Sequence, residues 1–390
     1  MRNLISKTVV LLLLLFLVQV GCKGRSGDSD EHSMDGPSDT PTNTPTPEDP
    51  KPTPEDEEPT PTPEEPEDPT PTPEPEPPVS TKPRICILTD MGRGDPDDHQ
   101  SMVHLLLYAD IFDIECLIAS TPTGDGNTIR RAVRAYAADY DRLKQHGDYP
   151  TPEYLMSTVK QGTQARSTGQ ADNGTQAVWV VDGHGVGFEN EGNLYLMVRA
   201  VADDPRPLHV LIWGSATDLA TALLLEPDVA KNIRVYTVGG WNSRQDRAAH
   251  GILWNRRNQL YWVDSNHVGG SMAPRSAEGA NKDSKYGARG FIDQVIKGAG
   301  NLGEYYWNAS NQGLHTNGGN CGRCIKEGDS PSFILLFPDQ PGFDSPGTQQ
   351  LGGIYPDKAN GLTYWQDRRG DSVQRQQILE RLEERFNRLR

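Results

Sequence analysis

The sequence predicts an α/β fold: a mostly parallel open sheet with flanking helices. Three observations predict it. Apolar, β-branched runs alternate with stretches whose apolar residues recur every three or four positions, the pattern of successive βαβ units. The 308 residues from 83 to 390 suffice for one large domain of this class. The first run ends in a glycine-containing acidic loop, and open α/β sheets bind ligands beyond the carboxyl ends of their strands.

In chain order, strands are expected at 84–89 (RICILT), 113–120 (DIECLIAS), 177–181 (AVWVV), 208–213 (LHVLIW) and 233–240 (IRVYTVGG). Between them, 97–110, 128–145, 192–204 and 216–226 carry apolar residues at helical spacing. After Gly240 the loops lengthen, and a closing helix aligns Ile378, Leu382, Phe386 and Leu389 on one face.

Ahead of this body the chain has two other parts. Arg2 and Lys7 precede VVLLLLLFLV, a core too short to span a bilayer and laid out as a secretory signal over 1–22. Residues 23–82 repeat a Pro-Thr-Pro-Glu unit, with 17 acidic residues against 4 basic; such a disordered stalk buries no core and stays extended. It holds most of the net charge of −16, so the body is only mildly acidic, and no basic stripe suggests a nucleic-acid polymer as partner. Cys22 after Gly21 resembles a lipobox, although Gln19 stands where leucine is usual. The resemblance implies lipidation at Cys22 and an exported lipoprotein facing periplasm or cell surface, touching membrane only through that anchor. Cys86 and Cys116 read as small buried thiols. Cys321 and Cys324 form a lone C-x-x-C with only His315 nearby, which favours a local disulfide over zinc.

The loop LTDMGRGDPDDHQ gathers Asp90, Asp95, Asp97 and Asp98 within nine positions. Two like charges about 4 Å apart repel by roughly 4 kcal/mol at an effective dielectric near 20, so a cation is the expected neutraliser. Calcium, a hard ion taking six to eight oxygens, suits such a set. One of these aspartates is otherwise a helix cap.

These residues resemble the N-terminal aspartate cluster of the nucleoside hydrolases, and more closely an exported family of cellulose-binding, nucleoside-hydrolase-like proteins. WGSATDLATAL, YTVGGWN and KEGDSPSFILLFP resemble later segments of those enzymes, in the same order. The resemblance implies a calcium site of Asp90, Asp98, the carbonyl of Thr217 and Asp329. It implies that Asp90 orients or deprotonates the attacking water and that Asp97 holds sugar hydroxyls. Two departures stand out. Six residues separate Asp90 from Asp97 where the hydrolases have three, which makes Asp95 an extra candidate ligand, and Gly328 replaces a histidine that protonates the leaving base.

Trp241, Asn242 and Asp246 follow a strand end and are candidates for sugar contacts, with Trp241 stacking on a ring; loop packing is the alternative. His184, Glu189, Glu191 and His250 are polar loop residues of open role, whereas Trp254, Trp262 and Trp307 read as packing. The expected function is calcium-dependent hydrolysis of N-glycosidic or related glycosidic bonds by a metal-positioned water. The alternatives are a non-catalytic carbohydrate (cellulose) binder that keeps the metal and a structural scaffold. Substrate and oligomeric state are left open.

Overall fold

The computed structural model describes residues 80–92, 96–120, 125–164, 186–239, 241–265, 283–310, 323–342, 344, 349–351, 353–354, 363–364 and 372–390. The expectations for the signal, Cys22, the stalk, Asp95, the strand at 177–181, His184, His315 and Cys321 lie outside them. Thr81–Arg390 forms one compact unit.

Its elements run β1 (Arg84–Thr89), α1 (Asp97–Leu107), β2 (Asp113–Ala119), α2 (Gly126–Leu143), α3 (Pro152–Thr158), β3 (Val159–Gln161), α4 (Glu191–Ala200) and β4 (Leu208–Ile212). They continue with α5 (Thr217–Leu225), β5 (Ile233–Val238), α6 (Trp241–Gln245), α7 (Arg247–Asn255), β6 (Tyr261–Ser265), α8 (Gly300–Ser310) and α9 (Pro331–Ile334). Two-residue strands β7 (Gln349–Gln350), β8 (Gly353–Ile354) and β9 (Thr363–Tyr364) precede α10 (Ser372–Asn387).

The main sheet has the order β3-β2-β1-β4-β5-β6-β9, and every neighbouring pair is parallel. The open parallel α/β sheet is therefore as expected. From β1 the chain winds outward through β2 to β3, then returns to β4 and winds the other way, so the order reverses between β1 and β4. Both faces are covered. Along β1, Ile85 and Ile87 enter one core cluster with α1, α2, α8 and α10, while Cys86 and Leu88 enter a second with α4, α5 and α7. Strands buried on both faces read as continuous apolar runs, which is why β1, β2 and β4 were legible.

The stretch after Gly240 departs from the expectation of long loops: its described part carries α6, α7, β6 and α8. Strands β3, β6 and β9 were also missed. β3 has three residues directly behind a helix, and β6 mixes Tyr261 and Trp262 with Asp264. Their extended form comes from the neighbouring strand more than from their own composition. Cys86 and Cys116 are buried free thiols, and Cys324 is disulfide-bonded. Of the three tryptophans read as packing, Trp262 is buried and its Nε1 donates to Thr237 Oγ1 at 2.9 Å, and Trp307 packs against the first cluster. Trp254 is instead 38% exposed, under the Arg257 guanidinium. No helix among the described residues is long and apolar enough to cross a membrane.

Candidate functional site

The reversal of strand order leaves a crevice at the carboxyl ends of β1 and β4, where doubly wound sheets bind ligands. Two loops meet there. Asp90 follows β1, and Gly214 follows β4 so closely that a Cβ on it would lie 2.7 Å from the Cβ of Asp90. Glycine is required for that approach. Trp213, buried at the end of β4, fixes the crossing in three directions. Its N–H donates to the Leu88 carbonyl at 2.8 Å, its Nε1 donates to Ser332 Oγ at 2.9 Å, and its carbonyl accepts from Asn242 Nδ2 at 2.6 Å.

Helix α1 starts against this junction with Asp97 and Asp98 in its first turn, where the unpaired N–H groups and the helix dipole favour negative charge. Pro96, at the N-cap, offers no capping side chain, and Asp97 Oδ1 accepts from the Asp98 N–H at 3.2 Å. One ligand oxygen each from Asp97, Asp98 and Asp329 falls within a 4.8 Å span. Three oxygens that close together can all touch one metal ion.

Asp98 is buried, accepts from the Thr89 hydroxyl, and is hydrogen-bonded to Asp90. Burial first, then the charges of Asp90 and Asp97, push its carboxyl well above the ordinary range. Asp329 is buried as well and is raised by the same causes, burial ahead of the charges of Asp98, Asp97 and Asp90. Its Oδ2 has no hydrogen-bond partner among the described residues. A buried carboxylate oxygen without a donor is costly, and a cation among its neighbours supplies what is missing. The donors, all hard oxygens, fit calcium.

The segment carrying Asp329 is held by residues that the sequence reading passed over. Gln100 Oε1 accepts from the backbone N–H of Lys326 and Glu327, at 2.6 and 3.2 Å, while its Nε2 donates to the Cys324 carbonyl at 3.1 Å. Glu327 is fully buried with φ of +31°, a backbone state that non-glycine residues rarely adopt. Three contacts secure it: Tyr306 OH at 2.5 Å, His104 Nδ1 at 2.7 Å and Ser330 Oγ at 3.0 Å. Ser332 then donates to the Asp329 carbonyl at 2.6 Å. Gln100 and His104 lie one turn apart on α1, so one rigid helix carries Asp97 and Asp98 and also pins the loop that brings Asp329 to them. Two polar residues four apart among apolar neighbours were the available signal.

The other expected residues have varied placements. Thr217 opens α5, buried, with its Oγ1 donating to Asp246 Oδ2 at 2.9 Å. Asp246 also accepts from Ser215 Oγ and from the Ala216 N–H, at 2.6 and 3.0 Å. It is fully buried beneath the β4–α5 loop and thus supports that loop instead of touching a sugar. Asn242 is half-buried with its amide on the Trp213 carbonyl. Trp241 begins α6, and its side chain falls outside the described part. Glu191 is an exposed first-turn residue of α4 that accepts from the Gln161 N–H at 3.1 Å.

A doubly wound parallel sheet with an aspartate cluster at its reversal point defines an α/β protein whose ligand site lies at the switch point. The chain belongs to the family described as cellulose-binding Sde182, nucleoside hydrolase-like domain, whose model matches residues 84–355. Among solved structures it is similar to a nucleoside hydrolase-related hypothetical protein from Saccharophagus degradans that is associated with carbohydrate metabolism. The identity is 22% over 79% of this chain and 72% of that one, with a TM-score of 0.58, a likeness of fold. An inosine-guanosine nucleoside hydrolase matches at 14% identity over 78% of this chain and 98% of its own, TM-score 0.48. The type III effector XopQ, solved with adenosine diphosphate ribose, matches at 13% over 80% and 96%, TM-score 0.48. No curated protein sequence matches the chain.

Proposed function

We propose that the protein is a calcium-dependent, cell-surface hydrolase of N-glycosidic or related glycosidic bonds. The observation that carries this reading is the convergence of Asp97, Asp98 and Asp329 at the strand-order reversal, with a buried Asp329 oxygen that has no donor among the described residues. Asp98, Asp329, Asp90 and the carbonyl of Thr217 would hold the ion, with Asp97 facing the sugar hydroxyls. Calcium, when bound, supplies positive charge that orients a water and a sugar diol and modestly lowers the pKa of that water.

The chain's own groups do the rest. Asp90 is half-buried at the end of β1 and hydrogen-bonded to Asp98, and its carboxylate would take the proton of the attacking water. Asp97, in the first turn of α1, presents acceptor oxygens to hydroxyl groups. Carboxylates beside an oxocarbenium-like centre also stabilise its developing positive charge. Lipidation at Cys22, followed by the acidic stalk, would display the domain outside the cell.

A second reading, a carbohydrate binder without turnover, is favoured by Gly328, which offers no side chain to protonate a leaving group, and by the family's description as cellulose-binding. One experiment separates them. Chelator-stripped and calcium-loaded protein are incubated with nucleosides and with cellulose and other plant polysaccharides, and release of base or reducing sugar is measured beside retention on the solid polymer. Release that needs calcium and disappears in Asp98→Ala is the expected result. Retention without release selects the binder, and neither overturns both in favour of a scaffold.

A further inference from the structure

The acidic cluster carries a cation of its own. Lys326 Nζ lies 3.3 Å from Asp97 Oδ2, and both side chains are about one-fifth exposed. The pair is held in register, because the Lys326 N–H donates to Gln100 Oε1, three residues beyond Asp97 on the same helix. Gly328 clears the same oxygen: a Cβ there would stand 3.2 Å from Asp97 Oδ2. Glycine at 328 and lysine at 326 thus act together, one leaving room at Asp97 and the other reaching into it. The buried, donorless Oδ2 of Asp329 independently marks the cluster as a place for a cation.

We propose that Lys326 is a tethered counter-ion, held on Asp97 beside the calcium ligands, whose charge opposes calcium and thereby sets the metal affinity of the site. This rests on the calcium reading above. With the metal away, the ammonium neutralises part of the cluster's charge and stabilises the folded chain. As the metal enters among Asp90, Asp98 and Asp329, it meets a cation already held on the neighbouring Asp97, and the lysine must withdraw or remain close to a divalent charge. Either way binding is weakened and exchange is eased.

The test is calorimetric titration of calcium chloride into chelator-stripped full-length protein, with thermal melts of the metal-free form. Lys326→Met is expected to bind calcium on the order of tenfold more tightly, since a like charge is removed from beside the ion. Its metal-free form should melt lower than the wild type. Lys326→Arg, which keeps the charge, should stay close to wild type in both readouts, and so should Lys231→Met, which removes an exposed lysine paired with Asp228 three residues earlier. Lys326→Gln retains a donor to Asp97 and loses only the charge, and it reads the same affinity if the methionine chain does not fold. Equal or weaker calcium binding by the neutral variants overturns the counter-ion role, and so does an equal gain in Lys231→Met. Wild-type protein that binds no calcium removes the metal reading and this proposal together.

Discussion

At the scale of single residues, buried polar groups decide how the site is held. Glu327 satisfies Tyr306, His104 and Ser330 at once, in a strained backbone state. Removing one partner of a buried network leaves the others desolvated and unpaired, at about 3–5 kcal/mol. Glu327→Ala is therefore expected to cost that much in denaturant unfolding, and to weaken calcium binding because the loop bearing Asp329 loses its anchor. Two further buried groups give opposite pH responses. Burial lowers the His250 imidazole to about 4 from an ordinary 6.5, so the unfolded chain takes up a proton first and stability drains away as pH falls from 6.5 toward 4. Burial raises the Asp264 carboxyl to about 6 from 3.8, with the Thr237 hydrogen bond opposing, so this group disfavours the fold above pH 6 and ceases to do so below 3.8. His250→Gln should flatten the acid-side loss of stability. Asp264→Asn should stabilise at pH 7 and be neutral near pH 3.5, as melts across that range would show.

Elements fix distances that no single residue sets. Helix α10 closes the domain with Ile378, Leu382 and Phe386 buried, Leu389 is buried just past its end, and Arg385 reaches both oxygens of Asp110 at 2.7 and 2.8 Å while lying over the Tyr108 ring. Phe386→Ala should cost about 3–5 kcal/mol through the cavity left against Tyr306, measurable by equilibrium unfolding. That helical face was legible because its spacing alone defines it. The long strands, helix α1 and the acids at its start were legible for similar local reasons: apolar runs and charge density stand out in one dimension. What stayed hidden depends on contacts between distant segments. Nothing in the neighbourhood of Gln100 states that it receives the backbone of Lys326, 226 positions away. Likewise Asn242 and Asp246 follow a strand end, and nothing local states that Asn242 Nδ2 and Asp246 Oδ2 bond the β4–α5 loop. The same loop offers an element-level test at Gly214. An added Cβ would press on Asp90, so Gly214→Ala should cost about 1–3 kcal/mol by overpacking and impair calcium binding beyond what that destabilisation explains.

For the whole molecule, the sheet's reversal point gathers one acid from after β1, two from the start of α1 and one from just before α9, joining sequence positions 90 and 329. The fold thus holds together charges that repel one another, and the core on both faces must offset that repulsion. An ion that binds only the assembled cluster stabilises the folded state by mass action, about 2.7 kcal/mol when its concentration is one hundred times its dissociation constant. In a domain of this size that is worth roughly 4 °C in Tm. Calcium added to the stripped protein should therefore raise Tm in proportion to the logarithm of its concentration, and a chelator should reverse the rise. Magnesium, which demands near-octahedral geometry and sheds its waters reluctantly, should raise it less. Asp98→Asn removes one of the crowded charges, so its stripped form is expected to melt at or above the wild-type stripped form while losing the response to calcium. If the stripped variant instead melts far lower and wild type is indifferent to calcium, the cluster is stabilised by its own hydrogen bonds and shared protons, and the ion has no part in the fold.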